Sequence, residues 1–348
     1  MRLHQAWYAK RSQQPIWIYL LAPLSLLFWL ISRTRAALYR CKILERYKSK
    51  LPVIVVGNIS VGGNGKTPVV LALLTYFGQQ GIKCAVLSRG YGAQQQQFPH
   101  LLALNSDPLQ VGDEPALIRN RANVPVVIDP KRARGAKFIE QNTDAQLIVC
   151  DDGMQHYALD RDFELCVMDK RGIGNGYLMP MGPLRESAKR LNSVQWLIYN
   201  GTDTKQHDCL ASIQAQTALM SLEAMAWVNV KNGQILSLEA GVVLFSKAQS
   251  IAAIAGIGDP KRFFDTLGDF NLALSDTKAM PDHHAIVYED VPNADIVLMT
   301  EKDAVKCKEF ALENYWYLQV EARLPDGFYR DLQQSLSTYF ELKNFTTK

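Results

Sequence analysis

Short apolar runs alternate with more polar, helix-prone segments along most of the chain. The first run, Val53–Val56, is β-branched and is followed by Gly57 and Asn58, which is typical of a strand. Because such runs have no polar alternate positions, they predict strands that are covered on both faces. Strands that alternate with helices predict a mostly parallel α/β sheet. The later runs in this first part of the chain are Lys83–Leu87, Val124–Ile128, Gln146–Cys150, Glu164–Met168 and Gln195–Tyr199.

The pattern changes near Thr217. Ala224–Val230 and Gln234–Leu238 flank Lys231-Asn232-Gly233, and Asn-Gly between two β-prone runs is a strong hairpin signal. This predicts a two-stranded connector, after which a second α/β pattern begins. Its predicted elements are strands at Ile251–Ala255, Phe270–Ser275, Ile296–Met299 and Tyr315–Val320, helices from Pro260 and Asp303, and a closing helix at Asp326–Phe340.

Ile16–Ile31 is a run of 16 residues without a charge. As a helix it would be about 24 Å long, whereas a bilayer core is about 30 Å thick. Three interpretations stay open: a marginal membrane span, a helix in the membrane interface, and a buried core helix. Basic residues on both sides of the run, with aromatic residues in and near it, favour a helix held at an anionic cytoplasmic surface. They are the basic Lys10, Arg11, Arg33, Arg35, Arg40 and Lys42, and the aromatic Trp7, Tyr8, Trp17, Tyr19 and Trp29.

Composition sets further limits. The 348 residues are enough for two ordinary domains or one large one, and the net charge of +4 is by itself too small to argue for a nucleic-acid partner. Six cysteines, Cys209 among them, show no CxxC pair. They are expected to be reduced thiols of a cytosolic protein, with no zinc site or disulfide framework.

A phosphate-binding loop is predicted directly after the first strand. Ser60-Val61-Gly62-Gly63-Asn64-Gly65-Lys66-Thr67 matches G-x-x-x-x-G-K-[ST] except that Ser60 replaces the first glycine, and a predicted helix, Pro68–Phe77, follows. Backbone N–H groups of such a loop turn towards phosphate oxygens. Lys66 is expected to reach the β- and γ-phosphates of ATP, and Thr67 to ligand Mg²⁺.

A second acidic element would complete the nucleotide site. The strand Gln146–Cys150 runs into Asp151-Asp152-Gly153. One of these carboxylates is expected to hold Mg²⁺, directly or through water. Alone, Asp-Asp-Gly would be an ordinary turn.

Further short motifs follow one another along the chain. They are Val56–Pro68, Ser88-Arg-Gly-Tyr-Gly92, Val111-Gly-Asp-Glu-Pro115, Asp151-Asp-Gly-Met-Gln-His156, Gly182-Pro-Leu-Arg-Glu186, Gly256-Ile-Gly-Asp-Pro260, Pro281-Asp-His-His284 and Thr300-Glu-Lys-Asp303. In this ordered set the chain resembles the tetraacyldisaccharide 4′-kinase (lipid A 4′-kinase) family.

The resemblance implies two α/β/α sandwich domains joined by a two-stranded β linker, the first domain P-loop NTPase-like, with the active site in the cleft between them. On this basis the segments are a membrane-anchor helix (1–45), a P-loop kinase domain (46–215), a hairpin linker (216–238) and a second α/β domain (239–348). ATP and Mg²⁺ are the implied co-substrates. The implied acceptor is the 4′-hydroxyl of a tetraacylated glucosamine disaccharide 1-phosphate, which would give lipid IVA at the cytoplasmic face of the bacterial inner membrane.

The family motifs also imply roles for single residues. Asp113 would support a catalytic base and Glu114 would lie near the acceptor, although the pair could equally cap a helix before Pro115. Arg185 is a candidate clamp for ATP phosphates, and Glu186 would help the metal or orient Arg185. A plain exposed Arg-Glu pair is the alternative.

Other motif residues are expected at the acceptor. Arg89 and Tyr91 could hold its phosphate or sugar, or only form a glycine turn, and Gln155 and His156 would face it. His283 fits the family's Asp-His motif as the base, paired with Asp113. Since these two fall in different predicted domains, we expect them to meet only when the cleft closes. Thr300–Asp303 is a candidate for contact with the nucleotide base.

Two further functions compete with a lipid-sugar kinase. One is a membrane-associated P-loop ATPase that acts as a switch or motor, and the other is a soluble small-molecule kinase. The candidate base favours a kinase, and the basic apolar N-terminus argues against a soluble enzyme. No obligate protein partner is evident from the sequence.

Overall fold

The computed structural model describes residues 3–9, 11–201 and 213–344, so Lys10 and Cys209 lie outside the described residues. The strands are β1 (Val53–Gly57), β2 (Cys84–Ser88), β3 (His100–Leu101), β4 (Val126–Ile128), β5 (Leu147–Asp151), β6 (Phe163–Asp169), β7 (Trp196–Asn200), β8 (Gln216–Asn229), β9 (Ile235–Leu236), β10 (Ile251–Ala255), β11 (Asp276–Ala279), β12 (Ile296–Thr300) and β13 (Tyr315–Arg323). The α-helices are α1 (Leu3–Tyr8), α2 (Ala22–Arg40), α3 (Lys66–Gln79), α4 (Pro108–Val111), α5 (Asp113–Ala122), α6 (Arg132–Asn142), α7 (Leu238–Phe245), α8 (Pro260–Asp269), α9 (Glu301–Cys307) and α10 (Asp326–Asn344).

Backbone contacts divide the chain into two compact units. The first unit contains 1–89, 129–221 and 324–348, and the second contains 90–128 and 222–323. These units are not the contiguous segments expected from the sequence, since 90–128 clusters with the second unit. Asp113 and His283 therefore belong to the same unit.

The first unit is built on a parallel sheet with the order β8-β7-β6-β1-β5-β2. Val53, Ile54, Val55 and Val56 of its central strand are at most 1% exposed. Burial of every position explains why the strand is a continuous apolar run without alternation. The carboxyl ends of β1 and β5, which carry the chemistry, lie side by side.

The second unit contains the order β11-β10-β12-β13-β8, with parallel pairs from β11 to β13. Strand β10 packs into two cores at once. Ile251, Ala253 and Ala255 belong to one buried cluster with Trp227, whereas Ile254 belongs to the other cluster. Both faces of this strand are therefore covered, as its unbroken apolar sequence predicts.

The hairpin signal at Asn232-Gly233 is matched by antiparallel pairing of β8 with β9, in which Trp227 lies opposite Leu236. The predicted strand at Phe270–Ser275 is wrong, because the strand that pairs with β10 is β11, Asp276–Ala279. Leu272 is buried against the core, and Phe270 and Leu274 pack beside it, from irregular backbone. The apolar side chains of 270–275 therefore indicate a buried loop and not a strand. The strand itself, β11, lies at the exposed edge of the sheet and has a polar sequence.

The N-terminal apolar segment forms a 3₁₀ turn, Ile16–Leu21, followed by α2, in which Pro23 occupies the first turn. Together they make a helix of 25 residues that is long and apolar enough to cross a membrane, with 11% of its apolar window buried. This low burial disfavours the core-helix interpretation. The segment is nevertheless attached to the first unit: Trp7 Nε1 donates to Pro180 O at 2.9 Å, and Ser25 Oγ donates to Leu178 O at 3.0 Å.

Candidate functional site: a phosphate loop and a carboxylate–imidazole pair

The loop between β1 and α3 has the backbone of a phosphate cradle. Gly65 precedes α3 with a φ of 90°, and Gly62 has a φ of 110°, a region that side chains rarely adopt. A Cβ on Gly65 would lie 2.7 Å from Nδ2 of Asn200. Any larger residue at position 65 would therefore strain the loop and displace Asn200.

Hydrogen bonds within the loop, and with the segments that carry Arg171 and Pro183, hold its shape. Asn64 Nδ2 donates to Ser60 Oγ at 3.1 Å. Arg171 Nη2 donates to Asn64 Oδ1 and to Gly63 O, each at 2.9 Å, while Asp169 pairs with the same guanidinium. Val61 N donates to Pro183 O at 2.9 Å. Asp169, the last residue of β6, and Arg171, two residues further on, were not predicted as site residues because they match no familiar local motif.

Three charged side chains of the predicted nucleotide site converge. Asp152 Oδ1 lies 3.6 Å from Lys66 Nζ, and Asp152 Oδ2 lies 3.0 Å from Arg185 Nη1. Burial alone would raise the pKa of Asp152, but the charges of Lys66 and Arg185 hold it well below its usual range. Asp152 has a left-handed backbone, with a φ of 48°. The acid is therefore ionised throughout the physiological pH range.

Asp151 lies at the end of β5 and is paired in the parallel register with Val56. Its side chain is buried. Thr67 is the second residue of α3, so the predicted metal-binding oxygens belong to adjoining elements. Among the described residues, no group of three or more His, Cys, Asp or Glu could hold a metal ion alone. A P-loop Mg²⁺ needs fewer, because nucleotide phosphates and water supply the other ligands.

Glu186 is engaged by protein donors. Its carboxylate accepts from Gln155 Nε2 at 2.9 Å and from the hydroxyl of Tyr157, and it lies 3.4 Å from Arg190 Nε. Gln155 Nε2 also donates to Asn58 O at 3.0 Å. Glu186 was expected either to help the metal or to orient Arg185. These contacts favour the second role, in which Glu186 supports the loop that carries Arg185.

His156 is half-buried next to the acidic turn, and Arg89 has an exposed side chain. Burial, together with the positive charges of Arg132 and Arg89, lowers the pKa of His156 to about 3. The imidazole is therefore neutral at physiological pH and can both donate and accept hydrogen bonds.

In the second unit, Asp113 and His283 already form a pair. His283 Nδ1 lies 3.1 Å from each carboxylate oxygen of Asp113. Burial acts to raise the pKa of Asp113, but the hydrogen bond from His283 and the charge of Lys302 lower it to about 2. The pKa of His283 is raised above its ordinary value despite burial, mainly because Asp113 stabilises the imidazolium. His283 has a left-handed backbone with a φ of 61°.

The expectation that Asp113 and His283 meet only on closure of a cleft is wrong. Both lie in one unit and are within hydrogen-bonding distance in the structure. The error came from assigning 90–128 to the first domain by chain order alone.

Lys302 of the Thr300–Asp303 motif also belongs to this cluster, although the sequence indicated a different contact for the motif, with the nucleotide base. Its Nζ lies 3.1 Å from Glu114 Oε1, 3.2 Å from Asp282 Oδ1 and 3.6 Å from Asp113 Oδ2. Tyr91, the other acceptor-site candidate here, has its ring centroid 5.0 Å from that of His283. A lysine after a strand-ending threonine is a weak signal, and only the tertiary contacts connect Lys302 with Asp113.

The other residues of the Thr300–Asp303 motif have structural contacts. Thr300 caps α9 through Asp303 N, and the buried Asp303 accepts from Gly256 N at 2.9 Å. Lys306 Nζ lies 2.8 Å from Asp303 Oδ1. A role for this motif at the nucleotide base stays a prediction.

A parallel sheet, a glycine-rich loop leading into a helix, and an acidic turn on the adjacent strand together define a P-loop nucleotide-binding protein. A conserved-domain profile described as Tetraacyldisaccharide-1-P 4′-kinase matches residues 17–337. The chain belongs to this tetraacyldisaccharide-1-phosphate 4′-kinase family.

Individual relatives agree with the family assignment. A tetraacyldisaccharide 4′-kinase of Pasteurella multocida is 44% identical over 326 residues, which cover 92% of this chain and 94% of the relative. One from Pseudoalteromonas atlantica is 44% identical over 315 residues, covering 90% of this chain and 98% of the relative. The crystal structure of LpxK from Aquifex aeolicus, described as an "apo" form in complex with ATP, is similar with a TM-score of 0.78 and 25% identity, and covers 93% of this chain and 100% of that one. The expected family, α/β fold class and ATP-dependent kinase activity are confirmed.

Proposed function

We propose that this protein transfers the γ-phosphate of ATP to the 4′-hydroxyl of a tetraacylated glucosamine disaccharide 1-phosphate, the lipid A precursor, and so forms lipid IVA. The proposal is supported by one observation: the chain contains two side-chain clusters, and each suits a different part of a phosphoryl transfer. The Lys66–Asp152–Arg185 cluster suits a transferring phosphoryl group, and the Asp113–His283 pair suits activation of a hydroxyl.

The nucleotide is assigned to the first unit. Backbone N–H groups of 60–67 would surround the phosphates, with Lys66 and Arg185 as positive contacts for the β- and γ-phosphates. Asp151, Asp152 and the Thr67 hydroxyl offer the hard oxygen ligands that Mg²⁺ prefers. When bound, Mg²⁺ would neutralise charge on the β- and γ-phosphates. Glu186 would support the segment of Arg185 through Gln155, Tyr157 and Arg190.

His283 is assigned as the base. Asp113 accepts a hydrogen bond from Nδ1–H, and this tautomer leaves the lone pair of Nε2 to take the proton of the sugar hydroxyl. The hydroxyl oxygen forms a bond to the γ-phosphorus while the bond from that phosphorus to the bridging β,γ-oxygen breaks. ADP leaves with the electron pair of the broken bond, and His283 keeps the proton until it passes to solvent.

The remaining candidates are assigned to the acceptor. Glu114 and Tyr91 lie beside the pair, at Lys302 and at the His283 ring respectively. Arg89 is an exposed cation for the anomeric phosphate. His156, neutral because of its lowered pKa, and Gln155 supply polar contacts for sugar hydroxyls.

Location at the cytoplasmic face of the bacterial inner membrane is part of the proposal. The 25-residue apolar helix Ile16–Arg40 supports it, since Ile16 and Leu20 are 85% and 78% exposed. An acylated acceptor stays in the bilayer, so an enzyme held at that surface would meet it there.

The decisive test is transfer of label from γ-labelled ATP to purified tetraacyldisaccharide 1-phosphate. We expect the lipid to become labelled only with Mg²⁺ present. The matched control is the same lipid with its 4′-hydroxyl methylated, which should take up no label. ATP hydrolysis at one rate with either lipid, and without lipid, would support the switch ATPase instead.

A further inference from the structure

Lys302 lies on the first turn of α9 and faces the second nitrogen of the His283 ring. Its Nζ is 3.5 Å from His283 Nε2, and its side chain is 16% exposed. Glu114 and Asp282 fix the ammonium in this place, at 3.1 and 3.2 Å. This cation therefore has a defined position beside the nitrogen that is expected to take the acceptor's proton.

The two ring nitrogens of His283 face different hydrogen-bonding partners, an acceptor at Nδ1 and a donor at Nε2. On Nδ1, the ionised Asp113 can only accept, so it requires an N–H there. On Nε2, an ammonium can only donate, so it is compatible with a lone pair and opposed to an N–H. Both partners select the same neutral tautomer, in which Nδ1 carries the proton and Nε2 keeps the lone pair that a base requires.

The charges around His283 make this arrangement necessary. Asp113 reaches the ring from α5, and Asp282 Oδ1 lies 3.8 Å from Nε2 on the same segment as the histidine. The uncharged ring of Tyr91 covers another side. Glu114 approaches through Lys302, and Lys306 acts on Asp113 from the next turn of α9. Without Lys302, the carboxylates of Asp113 and Asp282 beside the ring would favour the imidazolium, which cannot accept a proton.

We propose that Lys302 is a positioning residue that keeps Nε2 of His283 unprotonated and correctly oriented at physiological pH. The proposal rests on the assignment of His283 as the base. Lys302 stays charged, because its carboxylate neighbours raise its pKa above the ordinary lysine value in spite of burial. The charge of Lys302 also lowers the pKa of His283, in opposition to Asp113.

The first test needs no enzyme activity. Protein labelled with ¹⁵N in its histidine rings should show long-range ¹H–¹⁵N signals of a neutral Nδ1–H tautomer for His283, assigned by their loss in His283→Gln. In Lys302→Met, we expect the titration midpoint of His283 to move upward by about one pH unit. An unchanged midpoint and tautomer in folded Lys302→Met would overturn the proposal.

The second test is the pH dependence of kcat/KM. Lys302→Met should move the acid limb upward by the same amount, with activity partly regained at high pH, and Lys302→Arg should retain the wild-type limb. Lys308→Met, an exposed lysine just after the same helix, is the matched control and should leave the limb in place. A raised KM for the lipid with an unmoved limb would instead make Lys302 a direct acceptor ligand.

Removal of Lys302 leaves Asp282 and Glu114 without their shared cation, and this variant risks unfolding. Lys302→Met combined with Asp282→Asn removes one positive and one negative charge together. It should fold and still show a higher His283 midpoint than Asp282→Asn alone. Failure of wild-type protein to label the lipid would refute the proposed function. The titration of His283 tests the effect of Lys302 on the ring separately, because it needs no enzyme activity.

Discussion

Asp152 of the first unit and Asp113 of the second are both held ionised, but by different kinds of partner. Asp152 faces Lys66 and Arg185, a lysine and an arginine, which are residue types with reference pKa values far above neutrality. Asp113 faces His283, whose charge changes near neutrality, as well as Lys302. A carboxylate therefore belongs to two different arrangements. In the first unit it is part of the fixed cluster, Lys66, Asp152 and Arg185, and in the second it is part of the titrating pair, Asp113 and His283.

The difference separates two requirements of phosphoryl transfer. Stabilising charge on phosphate calls for cations whose protonation never varies. Moving a proton calls for a group that can gain and lose one at working pH. Variants that exchange or remove these partners test whether one cluster stabilises charge on the phosphate and the other moves the proton.

The largest effect is expected at the fixed cluster. Lys66→Ala should lower kcat by about 1,000-fold or more, because Lys66 would contact the transferring phosphoryl group. Lys83→Ala, which removes an exposed lysine paired with Asp144, is the control. Both should melt near the wild-type temperature. Near-normal turnover of folded Lys66→Ala would remove Lys66 from the catalytic site.

The titrating pair should act as one unit. His283→Ala and Asp113→Ala should each lower kcat about 100-fold or more, with little change in ATP affinity. A double variant hardly worse than the worse single variant is expected, measured with saturating lipid. If the two losses simply multiply, the residues work independently, and His284, which pairs with Asp290 at 3.0 Å, or His156 becomes the alternative base.

Dependence on pH should come from the second unit. Because the pKa of His283 is raised above 6.5, kcat/KM should fall about tenfold per pH unit below a midpoint that lies above 6.5. Asp113→Asn removes the carboxylate charge, so the midpoint should move downward while kcat falls. The fixed cluster predicts that Arg185→Lys changes the rate without moving the midpoint. A midpoint shared by wild type and Asp113→Asn would contradict the pairing.

Magnesium dependence should distinguish the adjacent acids. The charge of Asp152 is already met by Lys66 and Arg185, so we expect Asp151→Asn to raise the Mg²⁺ concentration for half-maximal rate more than Asp152→Asn does. Rates measured against Mg²⁺ at fixed ATP would show this. Unchanged curves in both variants would place the metal elsewhere.

The smallest effect on chemistry is expected at the apolar helix. Leu20→Gln, Leu24→Gln and Leu27→Gln alter side chains that are at least 54% exposed. Together they should release protein from membranes and leave kcat on detergent-dispersed lipid almost unchanged. Ser25 is kept, because it holds Leu178 and Met181. Deletion of 1–35 should instead lower stability, since it also removes the buried Trp7 and Ile18. Continued membrane binding of the triple variant would argue against this helix as the anchor.

Local signals in the sequence predicted much of the first unit. A phosphate loop, its helix and the Asp151-Asp152 turn each depend on a few consecutive residues, so their chemistry follows from local order. The contacts of Lys302 with Asp113 and of Arg171 with Asn64 were not predicted, because each pair lies more than 100 positions apart and only tertiary folding brings its members together. The predicted strand at Phe270–Ser275 failed for a related reason, since apolar residues report burial and the backbone pairing of an edge strand is decided by its neighbour.

The left-handed backbones of Asp152 and His283 have a consequence for anyone who engineers this protein. Each costs on the order of 1 kcal/mol of folding free energy relative to a residue that tolerates this conformation. Glycine at either position would relieve this backbone cost, but it would also remove the pairing of Asp152 with Lys66 and Arg185, or that of His283 with Asp113. Because these two residues also have proposed roles in the reaction, a more durable enzyme has to gain its stability at other positions.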